Sequence, residues 1–353
     1  MVVADYHLLS IDGRDAVIQY IVFLIVAFSL LVTGCATLDR GSSAGSSANA
    51  LVEIENYNTQ GKPVKVKFRQ EPQRVIAVWQ NSVETLLALG LQDRLVAALG
   101  VPYPECIKKE YRQAYESIPL RQPYVLDTEN MLMLEPDFIL AWASTFTDRY
   151  TRSTEFWNGR GVQTYMARSS MRGTGPQRIA DEYQYILDIG RIFGKERLAQ
   201  VIVKQMDQKI HFVQETTKGR TRPRALILEV IKDQIMVYGK DTLAGDILMH
   251  VCGELIDTGR TISYEQIIEE NPDVIFLVVS ENKYASADLE ARTFMEKAAL
   301  QSVAAVQNKR IYVTPLFMVY SSAVRTYDGI CLMARGLYPD LKEEDSAVEE
   351  NKE

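Results

Sequence analysis

The side chains that usually do chemistry in enzymes are scarce in this chain and lie far apart. It has three histidines, His7, His211 and His250, and four cysteines. None of them stands in a Cys-x-x-Cys or Cys/His spacing, and a site for bare zinc or manganese would need several imidazoles or carboxylates to converge. No Gly-x-Ser-x-Gly, His-Glu-x-x-His or P-loop pattern occurs. The sequence therefore predicts a protein that is not an enzyme and that holds no metal ion directly.

Two glutamates instead stand out by their place in a repeated unit. Glu129 lies one short helical segment before Pro136-Asp137. Glu265 precedes Pro272-Asp273 at the same spacing, and both Pro-Asp pairs lead into an apolar run that is typical of a buried strand. The repeat predicts two related α/β lobes. An acidic residue in the first turn of a helix also has an ordinary explanation in the helix dipole.

Composition and charge narrow the class of protein further. The chain of 353 residues is 47% hydrophobic and 24% charged, which fits a folded protein of two domains rather than a disordered or disulfide-dense one. Its 39 Lys and Arg against 46 Asp and Glu leave a net charge of −7. Because a protein that binds nucleic acid needs a basic surface, no nucleic-acid partner is expected.

The N-terminus predicts a membrane anchor. Residues 17–33 are almost entirely apolar and end at Gly34 and Cys35, and a run rich in Ser, Gly and Ala follows. The segment 1–34 resembles a bacterial lipoprotein signal peptide, in which Cys35 is lipidated and becomes the first mature residue, and 35–52 then forms a flexible tether. A lipid on Cys35 would anchor the protein to the outside of a bacterial membrane without spanning it. The alternative is an uncleaved signal anchor.

Strand-like and helix-like segments alternate through the rest of the chain. An exposed β-hairpin is predicted around Gln60-Gly61. Apolar runs such as 138–142 and 274–279 then alternate with helical stretches, as in α/β proteins with parallel sheets. These segments predict an N-terminal lobe at 53–194 and a C-terminal lobe at 219–340.

A single long helix is predicted between the two lobes. Residues 195–218 contain no Gly or Pro, and apolar side chains repeat along them at helical spacing: Leu198, Ile202, Met206, Ile210 and Val213. At about 1.5 Å per residue such a helix spans roughly 36 Å, which is enough to cross a small domain. The last residues, 341–353, are highly charged, and we expect an acidic disordered tail.

Several sequence markers occur in an order that is known from one family of transport proteins. They are Arg74-Val75-Ile76-Ala77 with Glu84-Thr85-Leu86-Leu87-Ala88-Leu89-Gly90, Leu134-Glu135-Pro136-Asp137, Gly253-Glu254-Leu255, Asn271-Pro272-Asp273-Val274-Ile275, and residues 304–312. In order and spacing they resemble the substrate-binding proteins of bacterial ABC importers for iron chelates and cobalamin. The resemblance implies two Rossmann-like α/β lobes joined by a single long α-helix, a ligand cleft between the lobes, and a monomer.

The resemblance also implies a role for the repeated glutamates. In that family one glutamate on each lobe pairs with arginines of the membrane permease, and Glu129 and Glu265 stand at the matching positions. We therefore expect these two carboxylates to orient the protein on an ABC permease dimer, which works together with its ATPase subunits.

Aromatic and basic residues after the predicted strands are the candidate ligand-binding residues, because α/β folds bind ligands at the carboxyl ends of their strands. They are Trp79, Trp142, Arg149, Arg152, Arg168, Tyr238, Arg325 and Tyr327. Aromatic rings suit a large conjugated ligand, and several arginines in an acidic protein favour an anionic one. The expected ligand is a ferric chelate, either a siderophore complex or haem, and no cofactor is expected.

Three other functions stay open at this point. Trp142 stands where a cobalamin-binding relative also has a tryptophan, so cobalamin is the alternative ligand. A lipoprotein that stores or scavenges haem without a permease is a second alternative. A membrane-tethered hydrolase, from a different class of protein, is the third.

Two of the cysteines leave their redox state open. Cys252 and Cys331 both lie in apolar, helix-like surroundings. Outside the cytoplasm they could form a disulfide, and they could equally remain two separate buried thiols.

Overall fold

Two separate β-sheets, one in each lobe, organise the chain. The computed structural model describes residues 52–171 and 173–341. The predicted signal peptide, the lipidation site Cys35, the tether before Val52 and the tail beyond Leu341 lie outside the described residues.

The N-terminal lobe is built on a parallel sheet with a hairpin beside it. Its elements are β1 Val52–Tyr57, β2 Pro63–Phe68, β3 Val75–Val78, α1 Gln80–Ala88, β4 Leu95–Leu99, α2 Arg112–Glu116, β5 Leu120–Gln122, α3 Thr128–Met133, β6 Phe138–Trp142, α4 Thr154–Asn158, β7 Gln163–Ala167 and α5 Ile179–Ile192. The strand order is β5-β4-β3-β6-β7, and neighbouring strands run parallel. β3 and nearly all of β6 are buried, so their sequences are apolar throughout rather than alternating.

The hairpin of β1 and β2 packs on the lobe through one of its faces. The sequence predicts an exposed hairpin, but Ile54, Val66 and Phe68 are buried in the core. Asn56 fixes the hairpin to β7, because its side chain donates to the carbonyl oxygen of Met166 at 3.1 Å and accepts from the Met166 amide at 2.9 Å. Both polar groups of a buried side-chain amide are thereby paired.

The C-terminal lobe contains a mixed sheet. Its elements are β8 Arg224–Ile231, β9 Gln234–Val237, α7 Leu243–His250, β10 Glu254–Leu255, β11 Thr261–Ile262, α8 Tyr264–Glu270, β12 Val274–Val279, α9 Glu281–Tyr284, α10 Ala287–Met295, α11 Ala304–Gln307, β13 Ile311–Pro315 and α12 Thr326–Leu337. β8, β12 and β13 run parallel, with β12 between the other two, and β10 pairs with β8. β9 turns back antiparallel to β8 and pairs with β11. The prediction of parallel sheets is therefore correct at the centre of this lobe and wrong at its β9–β11 edge.

One long helix, α6 at Glu196–Thr216, joins the lobes and lies within the predicted segment. Met206, Ile210 and Val213 are buried, as the apolar stripe predicts, but Leu198 is 40% exposed. The stripe is therefore correct over the second half of the helix and wrong at its start. None of the described helices is both long and apolar enough to cross a membrane.

The start of α6 packs closely on α5. Ala199 is fully buried there and faces Gly190 of α5. A Cβ at Gly190 would lie 2.5 Å from the Cβ of Ala199, so only glycine allows the two helices to approach this closely. At this end of α6, Ala199 and Gly190 therefore make the contact between the helices that the apolar stripe predicts for Leu198.

The two lobes share one structural unit where the repeated Pro-Asp pairs stand. In the first lobe the Asp137 carboxylate accepts hydrogen bonds from the backbone amides of Gln73 and Arg74, at 2.7 and 2.9 Å. In the second lobe Asp273 accepts from the amide of Arg224 at 2.9 Å. Each carboxylate ties the start of one central strand to the start of its parallel neighbour, β6 to β3 and β12 to β8. The sequence repeat therefore has the same structural role in both lobes.

Candidate ligand site between the lobes

Three aromatic rings meet between the lobes at the carboxyl ends of central strands. Trp79 directly follows β3, and Trp142 is the last residue of β6. Their indoles are stacked, with ring centres 5.1 Å apart and an angle of 21° between the planes. Tyr320 of the C-terminal lobe meets Trp142 edge to face at 5.6 Å. The fold thus brings two of the candidate ligand-binding residues side by side, at the edge where α/β sheets bind ligands.

The backbone holds Trp79 in an uncommon conformation. Its φ is 74°, in the left-handed region that non-glycine residues seldom adopt. Its amide donates to the carbonyl oxygen of Leu99 at 2.8 Å, and its indole Nε1 donates to the Thr145 hydroxyl at 2.8 Å. Gly100 lies against the ring, where a Cβ would come within 2.9 Å of Cε3. The indole is therefore fixed by the protein itself, which lowers the entropy cost of binding a ligand against it.

The rings line a narrow cavity of about 110 Å³. The N-terminal lobe contributes Trp79, Gln80, Asn81, Gly100, Pro102 and Trp142 to its walls, and the C-terminal lobe contributes Glu281, Leu316, Phe317, Tyr320 and Ser321. Sites for small molecules usually enclose roughly 300–1,000 Å³. A chelate therefore fits only when the lobes or the ring side chains move apart.

One wall of the cavity is acidic. Of the described residues that line it, Glu281 alone carries a charge, and it lies two residues after the end of β12. Burial raises the pKa of Glu281, and nearby Glu229 raises it further. Tyr238, a candidate ligand-binding residue, lies behind this wall and donates its hydroxyl to Glu229 at 2.7 Å. Burial and that carboxylate raise the pKa of Tyr238 well above its ordinary value.

Two buried N–H groups at the cavity have no hydrogen-bond partner within the described residues. Asn81 is 5% exposed, and its Oδ1 accepts from the Ser82 hydroxyl at 3.5 Å while its Nδ2 is unpaired. The indole Nε1 of Trp142 is unpaired as well. Because buried donors are nearly always satisfied, these two leave room for acceptors that come from outside the protein.

Arg325 lies outside the cavity, in an ion pair that joins the lobes. Its guanidinium donates to both carboxylate oxygens of Glu84, at 2.9 and 3.2 Å, and to Asp328 at 2.5 Å. The side chains of Arg325 and Glu84 are both buried. The guanidinium also lies 4.7 Å from the ring centre of Phe317, a cavity residue. Two protein carboxylates therefore already engage this charge, and a direct contact of Arg325 with the ligand stays a prediction.

The other candidate arginines also have local partners away from the cavity. Arg149 and Arg152 are exposed in the segment after β6, and Arg152 approaches Asp148 at 3.7 Å. Arg168 pairs with Asp181 at 3.4 Å, on the side of the lobe where the hairpin lies. Among the described residues, the arginine cluster that would favour an anionic ligand therefore does not form.

Sequence reasoning missed several cavity residues that its own rule would have selected. Asn81 and Glu281 lie within three residues of the ends of β3 and β12, much as the two tryptophans lie at the ends of their strands. Tyr320 comes soon after β13. Tyr327, which was selected, instead packs from α12 against the hydrophobic core. For the residues that line the cavity, position at or after a strand end is thus a better guide than the charge or size of the side chain.

A buried carboxylate, Glu182 of α5, also bridges the lobes. One of its oxygens accepts a hydrogen bond from the backbone amide of Ala323, and the other has no partner among the described residues. Beside it, the hydroxyls of Ser169 and Ser321 lie 3.1 Å apart and link the lobes a second time. Burial raises the pKa of Glu182 to about 7.

Glu129 and Glu265 have equivalent positions on the two lobes. Each is the second residue of its helix, α3 or α8, and each is exposed to solvent. The side chains of Asp127 and Ser263 cap these helices by accepting from the backbone amide three residues on. Neither glutamate lies among the described residues that line the cavity.

In the described part of the chain the cysteines form no disulfide bond, and the metal-ligating residues form no metal site. Cys252 and Cys331 form no disulfide bond, so of the two alternatives the structure has separate thiols. No group of three or more His, Cys, Asp or Glu residues in the described ranges has the geometry to hold a metal ion.

Comparison with known proteins defines the class to which this fold and cavity belong. The profile of the periplasmic binding protein family matches residues 75–316, and the chain belongs to that family. Its members are binding components of transport systems rather than enzymes.

Particular relatives narrow the class. The uncharacterized ABC transporter substrate-binding lipoprotein YvrC of Bacillus subtilis is 23% identical over 90% of this chain and 96% of its own. The ferric-anguibactin-binding protein FatB of Vibrio anguillarum is 23% identical over 72% of this chain and 77% of its own. A solved periplasmic binding protein from Veillonella parvula is 38% identical, with a TM-score of 0.79 and coverage of 82% and 92%. This chain is therefore the extracytoplasmic substrate-binding protein of an ABC importer, with a permease and a small-molecule ligand as partners.

Proposed function

We propose that this protein captures an iron chelate, either a siderophore complex or haem, and delivers it to its ABC importer. The stacked pair of Trp79 and Trp142 between the lobes carries the proposal, because two neighbouring indoles offer a bulky chelate a large apolar contact surface. Relatives support the choice of ligand. FatB is a ferric-anguibactin-binding protein, and YclQ of Bacillus subtilis, 20% identical over 82% of this chain, is a petrobactin-binding protein.

The proposal includes a lipid anchor on Cys35. The apolar run that ends at this cysteine and the Ser/Gly-rich segment after it support the anchor, and the relative YvrC is described as a lipoprotein. Palmitate labelling should be lost in Cys35→Ala, and labelling that persists in this variant would contradict the anchor.

The proposal also includes docking on the permease through Glu129 and Glu265. An exposed apolar side chain lies about one helical turn after each of them, Met133 at 80% and Ile268 at 37% exposure. A carboxylate beside an apolar side chain suits an interface in which arginines provide orientation and apolar contacts provide buried area.

Tryptophan fluorescence tests the proposed ligand class directly. Trp79 and Trp142 line the cavity, whereas Trp157, the third tryptophan, is fully buried in the N-terminal lobe. A ferric siderophore or haem that binds in the cavity should quench the emission saturably. Trp142→Phe should lose part of the quenching, and Trp157→Phe, the matched control, should retain it.

Cobalamin is the second candidate ligand, favoured by the position of Trp142. Titration with cyanocobalamin under the same conditions separates the two. Saturable binding of cyanocobalamin, with no response to ferric siderophores or haem, would overturn the proposal in favour of cobalamin.

A further inference from the structure

We propose that the cavity selects neutral or cationic chelates that present oxygen acceptors, and that Asn81 and Glu281 determine this specificity. The inference rests on the proposed function, because it takes the ligand to be an iron chelate. It differs from the expectation drawn from the arginine-rich segments, which favoured an anionic ligand.

Two hydrogen-bond donors in the cavity wall have no acceptor among the described residues. The Asn81 side chain is buried and lines the cavity, and its Nδ2 donor is unpaired among the described residues. The unpaired indole N–H of Trp142 belongs to the same wall. A buried donor that lacks an acceptor costs free energy, and a ligand oxygen that pairs with it recovers that cost on binding. The two N–H groups therefore favour carbonyl or hydroxamate oxygens.

Two carboxylates give one side of the cavity a negative charge. Glu281 lines the cavity and Glu229 lies close behind it, and neither forms an ion pair within the described residues. A carboxylate in a partly buried site repels an anionic ligand more strongly than it would in water, because the protein screens charge less well. The same carboxylate attracts a cationic ligand.

The basic side chain beside the cavity is already paired with carboxylates of the protein. Arg325 lies beside the cavity, with its guanidinium 4.7 Å from the ring centre of Phe317. It belongs to a buried network in which it pairs with Glu84 and Asp328, while Lys108 approaches Asp328 at 3.5 Å. Lys108 also pairs with Glu110 at 3.0 Å, so this network holds two cations and three carboxylates. The network therefore adds little positive potential, and Glu281 sets the sign of charge at the cavity.

Three ferric complexes of different charge test the inference on the purified full chain. They are ferric desferrioxamine B, which is a cationic trihydroxamate, ferrichrome, which is a neutral one, and a trianionic ferric tris-catecholate. Binding is followed by tryptophan quenching. Both hydroxamates should bind at least about tenfold more tightly than the catecholate.

Glu281→Gln isolates the contribution of the charge. It should weaken the cationic complex, strengthen the catecholate, and so reduce the ratio of their affinities by about threefold or more. Glu269→Gln, which neutralises an exposed carboxylate on α8, is the matched control and should leave the ratio unchanged.

Asn81→Leu measures how much the Nδ2 hydrogen-bond donor of Asn81 contributes to binding. The affinity for both hydroxamates should fall by about three- to tenfold, as expected for one lost hydrogen bond. The melting temperature of the protein without ligand should stay the same or rise, because an unsatisfied donor is removed from the interior. A lower melting temperature together with full affinity would assign Asn81 a structural role and overturn its place in the proposal.

The outcomes separate this inference from the proposed function. A catecholate that binds as tightly as the hydroxamates, or an affinity ratio that Glu281→Gln leaves unchanged, would overturn the charge selection while the protein remained a chelate-binding protein. Failure of all three complexes and of haem to bind would overturn the proposed function, and this inference with it.

Discussion

Arg325 and Glu84 lie 241 residues apart in sequence and meet between the lobes, where both are withdrawn from water. Buried charges are tolerated when their partners and hydrogen bonds are complete. Glu84 meets that condition, because it also accepts from the Gln80 side chain at 3.0 Å and from the Lys108 amide at 2.7 Å. This buried ion pair therefore links the two lobes directly.

Arg325→Met should lower the free energy of unfolding by about 3–5 kcal/mol, because it leaves Glu84 buried without its counter-charge. Urea denaturation measures the loss, and adding Glu84→Leu to the variant should recover part of it. Arg152→Met is the control: its partner Asp148 is exposed, so the change should stay within about 0.5 kcal/mol. If Arg325→Met lost only ligand affinity and kept its stability, Arg325 would again be a candidate ligand contact.

Trp79, Trp142 and Arg325 show which features of a single residue can be predicted from the sequence. Trp79 and Trp142 were predicted correctly to lie at strand ends, because strand ends follow from local apolar runs and their order in the chain. The direction of an arginine side chain depends on a partner that can be far away in sequence. Arg325 has such a partner in Glu84, and no local pattern around Arg325 indicates it.

At the scale of elements, α6 is the segment whose limits the sequence predicted closely. A run without Gly or Pro defines the extent of a helix, because those residues interrupt it. The buried face was less predictable at its start, since Ala199 and Gly190 make the contact there and small residues carry no apolar signal. β9 was missed because it has only four residues and follows directly on the turn at Lys232, whose φ is 54°.

Met206→Ala and Leu198→Ala form a matched pair of variants on α6. Met206 is fully buried, so its truncation should cost about 2–5 kcal/mol of unfolding free energy through lost contacts and the cavity left behind. Leu198 is 40% exposed, and its truncation should cost about 0.5 kcal/mol or less. Urea denaturation of both variants measures the difference. Equal losses would mean that α6 buries the predicted stripe along its whole length.

At the scale of the whole molecule, Glu182 couples pH to stability. Its pKa is raised by burial from the usual 4.5 to about 7 in the folded protein. The unfolded chain therefore releases this proton at lower pH than the folded chain does. The stability that the protonated group contributes is complete below about pH 4.5 and is lost as the pH rises to about 7.

Glu182→Gln should consequently be more stable than the wild-type protein at pH 8, by about 1–3 kcal/mol, because the amide never carries a buried charge. The difference should shrink as the pH falls to about 5. Urea denaturation across this range measures it, with the exposed Glu269→Gln as the control for other titrating groups. A difference that does not change with pH would show that Glu182 keeps an ordinary pKa in the folded protein.

The two-lobed organisation could be predicted because its signal is repeated in the chain. Glu129 and Glu265, with the Pro-Asp pairs after them, mark the same unit twice, and Asp137 and Asp273 give that unit a common hydrogen-bonding role. The cavity could not be predicted to the same degree. Its walls combine loop segments from both lobes, and its size depends on how closely the lobes approach.

Docking on the permease should depend on Glu129 and Glu265, one on each lobe. In the double variant Glu129→Ala/Glu265→Ala the affinity for ligand should be unchanged, because neither residue lines the cavity among the described residues. Transport, or stimulation of permease ATPase activity in liposomes, should fall sharply, because one orienting carboxylate is lost from each lobe. Replacement by Lys should be worse than Ala through like-charge repulsion, and Asp should retain part of the activity.

The control is the double variant Glu116→Ala/Glu196→Ala, which removes the same charge from two other exposed positions and should transport normally. Normal uptake by the first double variant would leave both glutamates with no role beyond stabilising the starts of α3 and α8.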